Sequence, residues 1–318
     1  KANVQPGSSE IDMVGSDFSY PQVWRSSLAF EARLPWGIRG TLEGMYTKTL
    51  NNIRYQDLGL KKTSEIVYSS GEVRPVYSRQ EGNKYSNLIL LSNSNKGYSY
   101  NITATLSKDF GHGLDASIAY TFGESKVAND GLSSQAASNW KYNYSTDING
   151  DELYYSNFDM RHRFVGQLNY RIEYAKHFAT TIGLIYNGQS GPRYSILSYT
   201  DLNGDGERND LAYLPEKATT DKRSAMSYED FLAKNPDIAA YKGKIVPRNA
   251  LMAPFIHKFD LHFAQDFFLQ VSGKRHTLQL NADIINVGNL LNRGWGMEPY
   301  VNYSSITPIS GANSDTFS

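Results

Sequence analysis

Eight segments of this chain alternate apolar and polar residues at every second position, and no other feature constrains its fold as tightly. Between residues 23 and 34, one parity holds Trp24, Leu28, Phe30, Ala32 and Leu34, while the other holds Arg25, Ser27, Glu31 and Arg33. A period of two marks a strand with two unlike faces. The pattern recurs at 38–47, 98–110, 114–122, 162–174, 178–186, 258–267 and 278–284. Most of these segments exceed the ~5–6 residues of an ordinary strand and are long enough to cross a bilayer at a tilt. The centres of the apolar faces carry no charge, whereas the opposite faces hold Arg25, Glu31, Arg33, Arg39, Glu43, Arg163, Arg171, Glu173, Asp260 and Asp283. One face must therefore meet lipid or a dry core, and the other must line water or polar atoms.

The connections alternate in length. Short ones fall at 35–37, 111–113, 175–177 and about 271–275; long ones span about 51–97, 126–158 and 195–256. Short turns at one end and long loops at the other characterise an outer-membrane barrel, with short periplasmic turns and long extracellular loops. The expected fold is all-β, an antiparallel transmembrane β-barrel occupying residues 1–318. Tyr20, Trp24, Trp36, Tyr46, Tyr98, Tyr174 and Tyr186 near strand ends suit interfacial girdles. No run of ~18 apolar residues is present, so no helix of the usual kind crosses a membrane.

Composition narrows the function. Lys+Arg and Asp+Glu are both 32, and this balance argues against nucleic acid as a partner. The absence of cysteine excludes disulfides and thiolate chemistry. Residues 188–192, GQSGP, put Pro192 where a nucleophile elbow needs glycine. There is no phosphate loop of the G-x-x-x-x-G-K type, and the six histidines are scattered. The chain is not expected to be an enzyme.

The stretches at 20–53 (YPQVWRSSLAFEARLPWGIRGTLEGMYTKTLNNI), 186–195 (YNGQSGPRYS), 201–215 (DLNGDGERNDLAYLP), 248–267 (RNALMAPFIHKFDLHFAQDF) and 283–296 (DIINVGNLLNRGWG) are, in this order, similar to the C-terminal barrel region of TonB-dependent outer-membrane transporters. The chain most resembles the Oar-like group of the Bacteroidota. The resemblance implies energised passage of an extracellular substrate across the bacterial outer membrane. It also implies a barrel of ~22 strands around a plugged lumen, with outer-membrane lipid, a plug domain and a TonB-type energising complex as partners. Eight strands are legible, these residues hold no plug domain, and no clean alternation follows Tyr300. The chain is therefore expected to be the later part of such a barrel, without plug or last strand. Two other readings stay open: a self-contained eight-stranded outer-membrane barrel with a structural or adhesive role, and a soluble β-rich binding protein.

Two loop features are candidate sites. Residues 201–210 match the first half of a calcium loop, with Asp201, Asn203 and Asp205 at positions one, three and five and Gly206 at six. Glu207 offers a carbonyl at seven and Asn209 stands at nine. Ala212 occupies the position of the bidentate glutamate, so Asp210 would have to replace it. Calcium is the expected cofactor if one binds; the competing reading is a metal-free Asx/Gly turn. Residues 147–152 echo the spacing, but Glu152 stands where glycine is needed. Trp140, Tyr142, Tyr144, Tyr154 and Tyr155 form the second candidate, aromatics that contact a sugar or peptide or else pack the loops together. Within the longest loop, residues 226–238 predict a short helix capped by Ser227, with Asp230 three residues on.

Overall fold

The computed structural model describes residues 9–81, 85–222, 224–301, 305–310 and 316–317. In chain order the strands are β1 (Ser9–Val14), β2 (Gln22–Arg33), β3 (Arg39–Asp57), β4 (Leu60–Val67), β5 (Val73–Arg79), β6 (Tyr85–Ser94), β7 (Gly97–Gly111), β8 (Leu114–Val127), β9 (Tyr154–Tyr155), β10 (His162–Tyr174), β11 (Phe178–Gln189), β12 (Arg193–Ser198), β13 (Thr219–Thr220), β14 (Leu251–Met252), β15 (Ile256–Val271), β16 (Lys274–Ile284), β17 (Ser305–Ser310) and β18 (Thr316–Phe317). The helices are α1 (Ala136–Lys141), α2 (Tyr228–Lys234) and α3 (Pro236–Ala239).

The long strands β2, β3, β7, β8, β10, β11, β15 and β16 form one wall, each antiparallel to the next. The wall is an open sheet: among the described residues β2 pairs only with β3, and β16 only with β15. Its register sorts the two faces. Ala32, Gly40, Leu106, Ile118, Gly166, Tyr186 and Phe259 lie side by side across seven strands. The next row, on the other face, is Arg33, Arg39, Ser107, Ser117, Gln167, Ile185 and Asp260. Slipping the register by one residue would exchange the faces. Leu28, Phe30, Leu42, Ile102, Ile118, Leu168 and Leu278 are all exposed. A sheet face with this much bare apolar surface is suited to apolar surroundings. Gln265 is a polar residue on that face; its side chain accepts from the hydroxyl of Thr180 at 2.7 Å.

Sequential antiparallel pairing places alternate connections at opposite ends of the wall. His112–Gly113 and Ser272–Gly273 are two-residue turns in which both residues have positive φ (53° and 79°; 50° and 75°), the geometry that matches strand twist. Gly113 has a second constraint, because a Cβ there would collide with the Arg171 carbonyl oxygen. The Gly113→Ala variant is expected to lose at least ~1 kcal/mol of stability. Gly44→Ala, with open space at its Cβ, should change stability much less. Urea unfolding in detergent micelles checks both, and equal midpoints for the two variants would refute the assignment.

The long connections are folded, and most of the buried core lies in them. Residues 51–97 are largely strand: β3 runs on to Asp57, β6 returns beside it from Asp57↔Ile89 to Asn52↔Ser94, and β4 and β5 form a hairpin. Leu60, Ile89, Trp140 and Ile148 form one cluster between the first two loops. Leu197, Leu211, Tyr213 and Ile245 form a second. Ile196, Leu214, Tyr228, Leu232, Val246 and Phe317 belong to a third. Tyr194 lies in β12, which pairs with β14 and runs parallel to β17 outside the wall. β17 and β18 therefore join the cap; residues 302–304, 311–315 and 318 lie outside the described residues. The helix expected at 226–238 forms as α2 and α3, and the Ser227 hydroxyl accepts from the backbone N–H of Asp230 at 3.1 Å.

Candidate functional site

The three long connections are joined into one cap by buried polar contacts between residues remote in sequence. Asp57, fully buried at the end of β3, accepts from the backbone of Gly59 and Leu88 at 2.8 and 3.0 Å. Its own N–H donates to Asn149 Oδ1 at 2.8 Å, and Asn149 Nδ2 donates back to the Asp57 carbonyl at 3.0 Å. Asn149 Oδ1 also accepts from the Trp140 indole at 3.0 Å. In the weaker calcium-like repeat, the Asp147 carboxylate accepts from the Tyr77 hydroxyl at 2.6 Å. Residues 147–152 thus staple the second loop to the first.

At 201–210 the candidate ligands turn three ways. Asp201 accepts from the backbone of Gly204 and Gly206 at 2.7 and 2.9 Å, closing the turn that places both glycines at positive φ. Asn203 and Asp205 bond to one another, and Asp205 also accepts from the Glu207 backbone at 2.7 Å. Glu207 and Asn209 reach α1 instead, pairing with the Lys141 ammonium at 2.7 Å and donating to the Lys141 carbonyl at 2.9 Å. Asp210 pairs with Arg74 on β5 at 2.5 Å, with both side chains fully buried, and accepts from the Leu202 backbone at 2.7 Å. Arg74 also donates to the Tyr68 hydroxyl and the Leu211 carbonyl. Asp201 is taken up by the loop backbone and Asn203 and Asp205 by one another, whereas Asp210 faces a guanidinium. Among the described residues no three acidic or histidine side chains converge as metal ligands do.

Burial, with Asp210 and Asp201 nearby, pushes the Asp205 carboxyl up to about 7. The folded loop then holds a proton that the unfolded chain has lost, so stability falls as pH rises from about 4 through about 7. Asp205→Asn is expected to increase protease protection of residues 201–214 strongly at pH 8 and much less at pH 5, where only the first part of the loss has occurred. Limited proteolysis with mass-spectrometric readout checks this, and an identical gain at both values would refute it.

The five candidate aromatics separate by burial. Trp140 is fully buried against Ile148 and Ile89. Tyr154 packs on the Leu211 cluster and lies under the Arg248 guanidinium at 5.1 Å. Burial, followed by the nearby Glu152 carboxylate, raises its hydroxyl pKa. Tyr155 stacks beneath Arg193 at 3.7 Å. These three hold the loops together. Tyr142 and Tyr144 instead line a cavity of about 350 Å³ between the second and third loops. Asn129, Asp130, Leu132, Asn143 and Arg248 contribute to its other walls. Of the aromatic set, only these two are placed to touch a ligand there.

Sequence spacing missed the buried arginines Arg74, Arg193 and Arg248. Arg193 pairs with Asp159 at 2.5 Å and donates to the Asn249 carbonyl at 2.9 Å. Their partners come from other loops, so no local motif marks them.

A family model described as "Outer membrane beta barrel domain" matches residues 1–313. No curated protein matches the chain. Among solved structures it is similar to the FrpB iron transporter from Neisseria meningitidis. The F3-3 variant aligns at 12% identity and a TM-score of 0.30, covering 84% of this chain and 35% of that one. The F5-1 variant aligns at 12% and 0.28, covering 83% and 33%. The chain spans about a third of the length of these transporters.

Proposed function

Since the chain belongs to the outer membrane beta barrel domain family and has its place in the bacterial outer membrane, we propose that it forms part of the barrel of a TonB-dependent receptor that passes a substrate inward with energy from a TonB-type complex. The observation that carries this reading is the wall itself: eight long antiparallel strands, one face free of charge at its centre, short turns at one end and a folded cap at the other. The apolar face meets outer-membrane lipid. The charged face is turned to the lumen, where a plug domain would sit. The open sheet favours a larger barrel of ~22 strands over a closed eight-stranded one. The five stretches quoted above support the Oar-like group. The cap is extracellular and receives the substrate by binding, without catalysis or nucleic acid.

The gene tests the transporter reading directly. A plug-like segment is expected in the same reading frame, and deletion of the gene should abolish uptake of the cognate substrate. A complete gene without such a segment would leave the adhesive or structural barrel as the better account. Recovery of the chain as a monomer without detergent would instead favour a soluble binding protein.

We also propose that a calcium ion, held by Asp201, Asn203 and Asp205, pins the third loop. Its positive charge would offset the burial and the repulsion that make Asp205 difficult to ionise. At pH 8, calcium should increase loop protection in the native chain and not in Asp205→Asn. Equal protection with calcium and with a chelator would leave only the metal-free turn.

A further inference from the structure

Arg248 is 3% exposed, yet among the described residues its guanidinium makes no ion pair. It donates to the side-chain carbonyl of Asn143 and to the backbone carbonyls of Val127 and Ala128, the latter two at 2.9 and 3.2 Å. Its Nε finds no acceptor. Burial lowers its pKa, against the opposing pull of Asp130, Tyr154 and Glu152, none of which forms an ion pair with it. The carboxylate on the same cavity wall, Asp130, is held elsewhere: it accepts from Ser156 Oγ at 2.5 Å and from Asn157 at 3.0 and 3.1 Å. A buried guanidinium satisfied only by neutral carbonyls is costly unless an anion completes it. Arg193 and Arg74, its counterparts elsewhere in the cap, each have a buried aspartate. The cavity is what distinguishes Arg248 from them.

We propose that this cavity binds a small organic carboxylate with an aromatic or apolar body. The carboxylate displaces the Asn143 amide from Arg248, because an ionised acceptor bonds a guanidinium about twice as strongly as a neutral one. The body lies against Tyr142 and Leu132, both exposed, with Tyr144 on the same wall. A phosphate dianion fits less well, since one guanidinium opposes two charges and Asp130 stands nearby.

The inference deepens the receptor reading and rests on it, but its test is separate. Binding in detergent examines the cavity, and uptake by cells examines the receptor. The full chain would be titrated calorimetrically with N-acetylphenylalanine and with its uncharged amide. The acid should bind and the amide should bind at least ~10-fold more weakly, as loss of a charge-assisted contact requires. Arg248→Gln should weaken the acid by a similar factor, and Arg248→Lys by less. Tyr142→Ala removes an exposed ring and is not expected to disturb folding; it should weaken both probes by several-fold. Equal affinity for acid and amide, or no heat with the acid at 10 mM (about the weakest binding that calorimetry reads), would overturn the proposal. If Arg248→Gln fails to fold, the acid-to-amide comparison and Tyr142→Ala still decide it.

Discussion

Arg74→Met is expected to release the third loop from the β4–β5 hairpin. The substitution leaves the fully buried Asp210 carboxylate without its counter-charge and removes the bonds to Tyr68 and Leu211. Breaking one partner of a buried pair costs about 3–5 kcal/mol. The cost should appear locally, as rapid proteolysis within 201–214, because the wall strands pair independently of this contact. The double variant Arg74→Met/Asp210→Leu should recover much of the loss, since no buried charge is then stranded. Burial already pushes the Asp210 pKa up against the opposing pull of Arg74; in the single variant that pull is gone and the pKa rises further. Unchanged cleavage in Arg74→Met would mean that the loop is held by its apolar clusters alone.

The second large effect concerns the wall. Leu168 and Gln167 are neighbours on β10 but point to opposite faces. Leu168 pairs laterally with Ala116 and Leu184, near the middle of the strands, and is exposed. Leu168→Arg would place a cation on the lipid face, at a cost of about 2–4 kcal/mol near the bilayer centre. Gln167→Arg joins a face already lined by Ser117 and Asp260 and should cost less than about 1 kcal/mol, as it meets water or polar atoms. Denaturant unfolding from lipid vesicles compares the two. Similar losses for both variants would show that the faces have been assigned the wrong way round.

The wall was legible in the sequence because its information is local. Period-two alternation and turn residues such as His112–Gly113 act within a few positions, and each wall strand pairs with the next wall strand in chain order. Ser227 and Asp230 were legible for the same reason, being three residues apart on one helix start. The candidate sites were only partly legible. Spacing alone puts Asp210 where it would complete a calcium loop, but spacing could not reveal that Arg74, remote in sequence, claims it. Aromatic content marked Trp140, Tyr142, Tyr144, Tyr154 and Tyr155 equally, although only Tyr142 and Tyr144 face the cavity.

By itself, the sequence determined a β-wall with one apolar and one polar face, because the alternation leaves every strand only one register that keeps the two faces apart. Tertiary structure alone decided that the long connections close into a cap, that the calcium-like turn is bolted to a hairpin by a buried ion pair, and that Arg248 is left beside a cavity with only neutral acceptors. Each of these depends on burial of charge or amide by residues from other loops, and burial is a property of the assembled chain that no local spacing encodes.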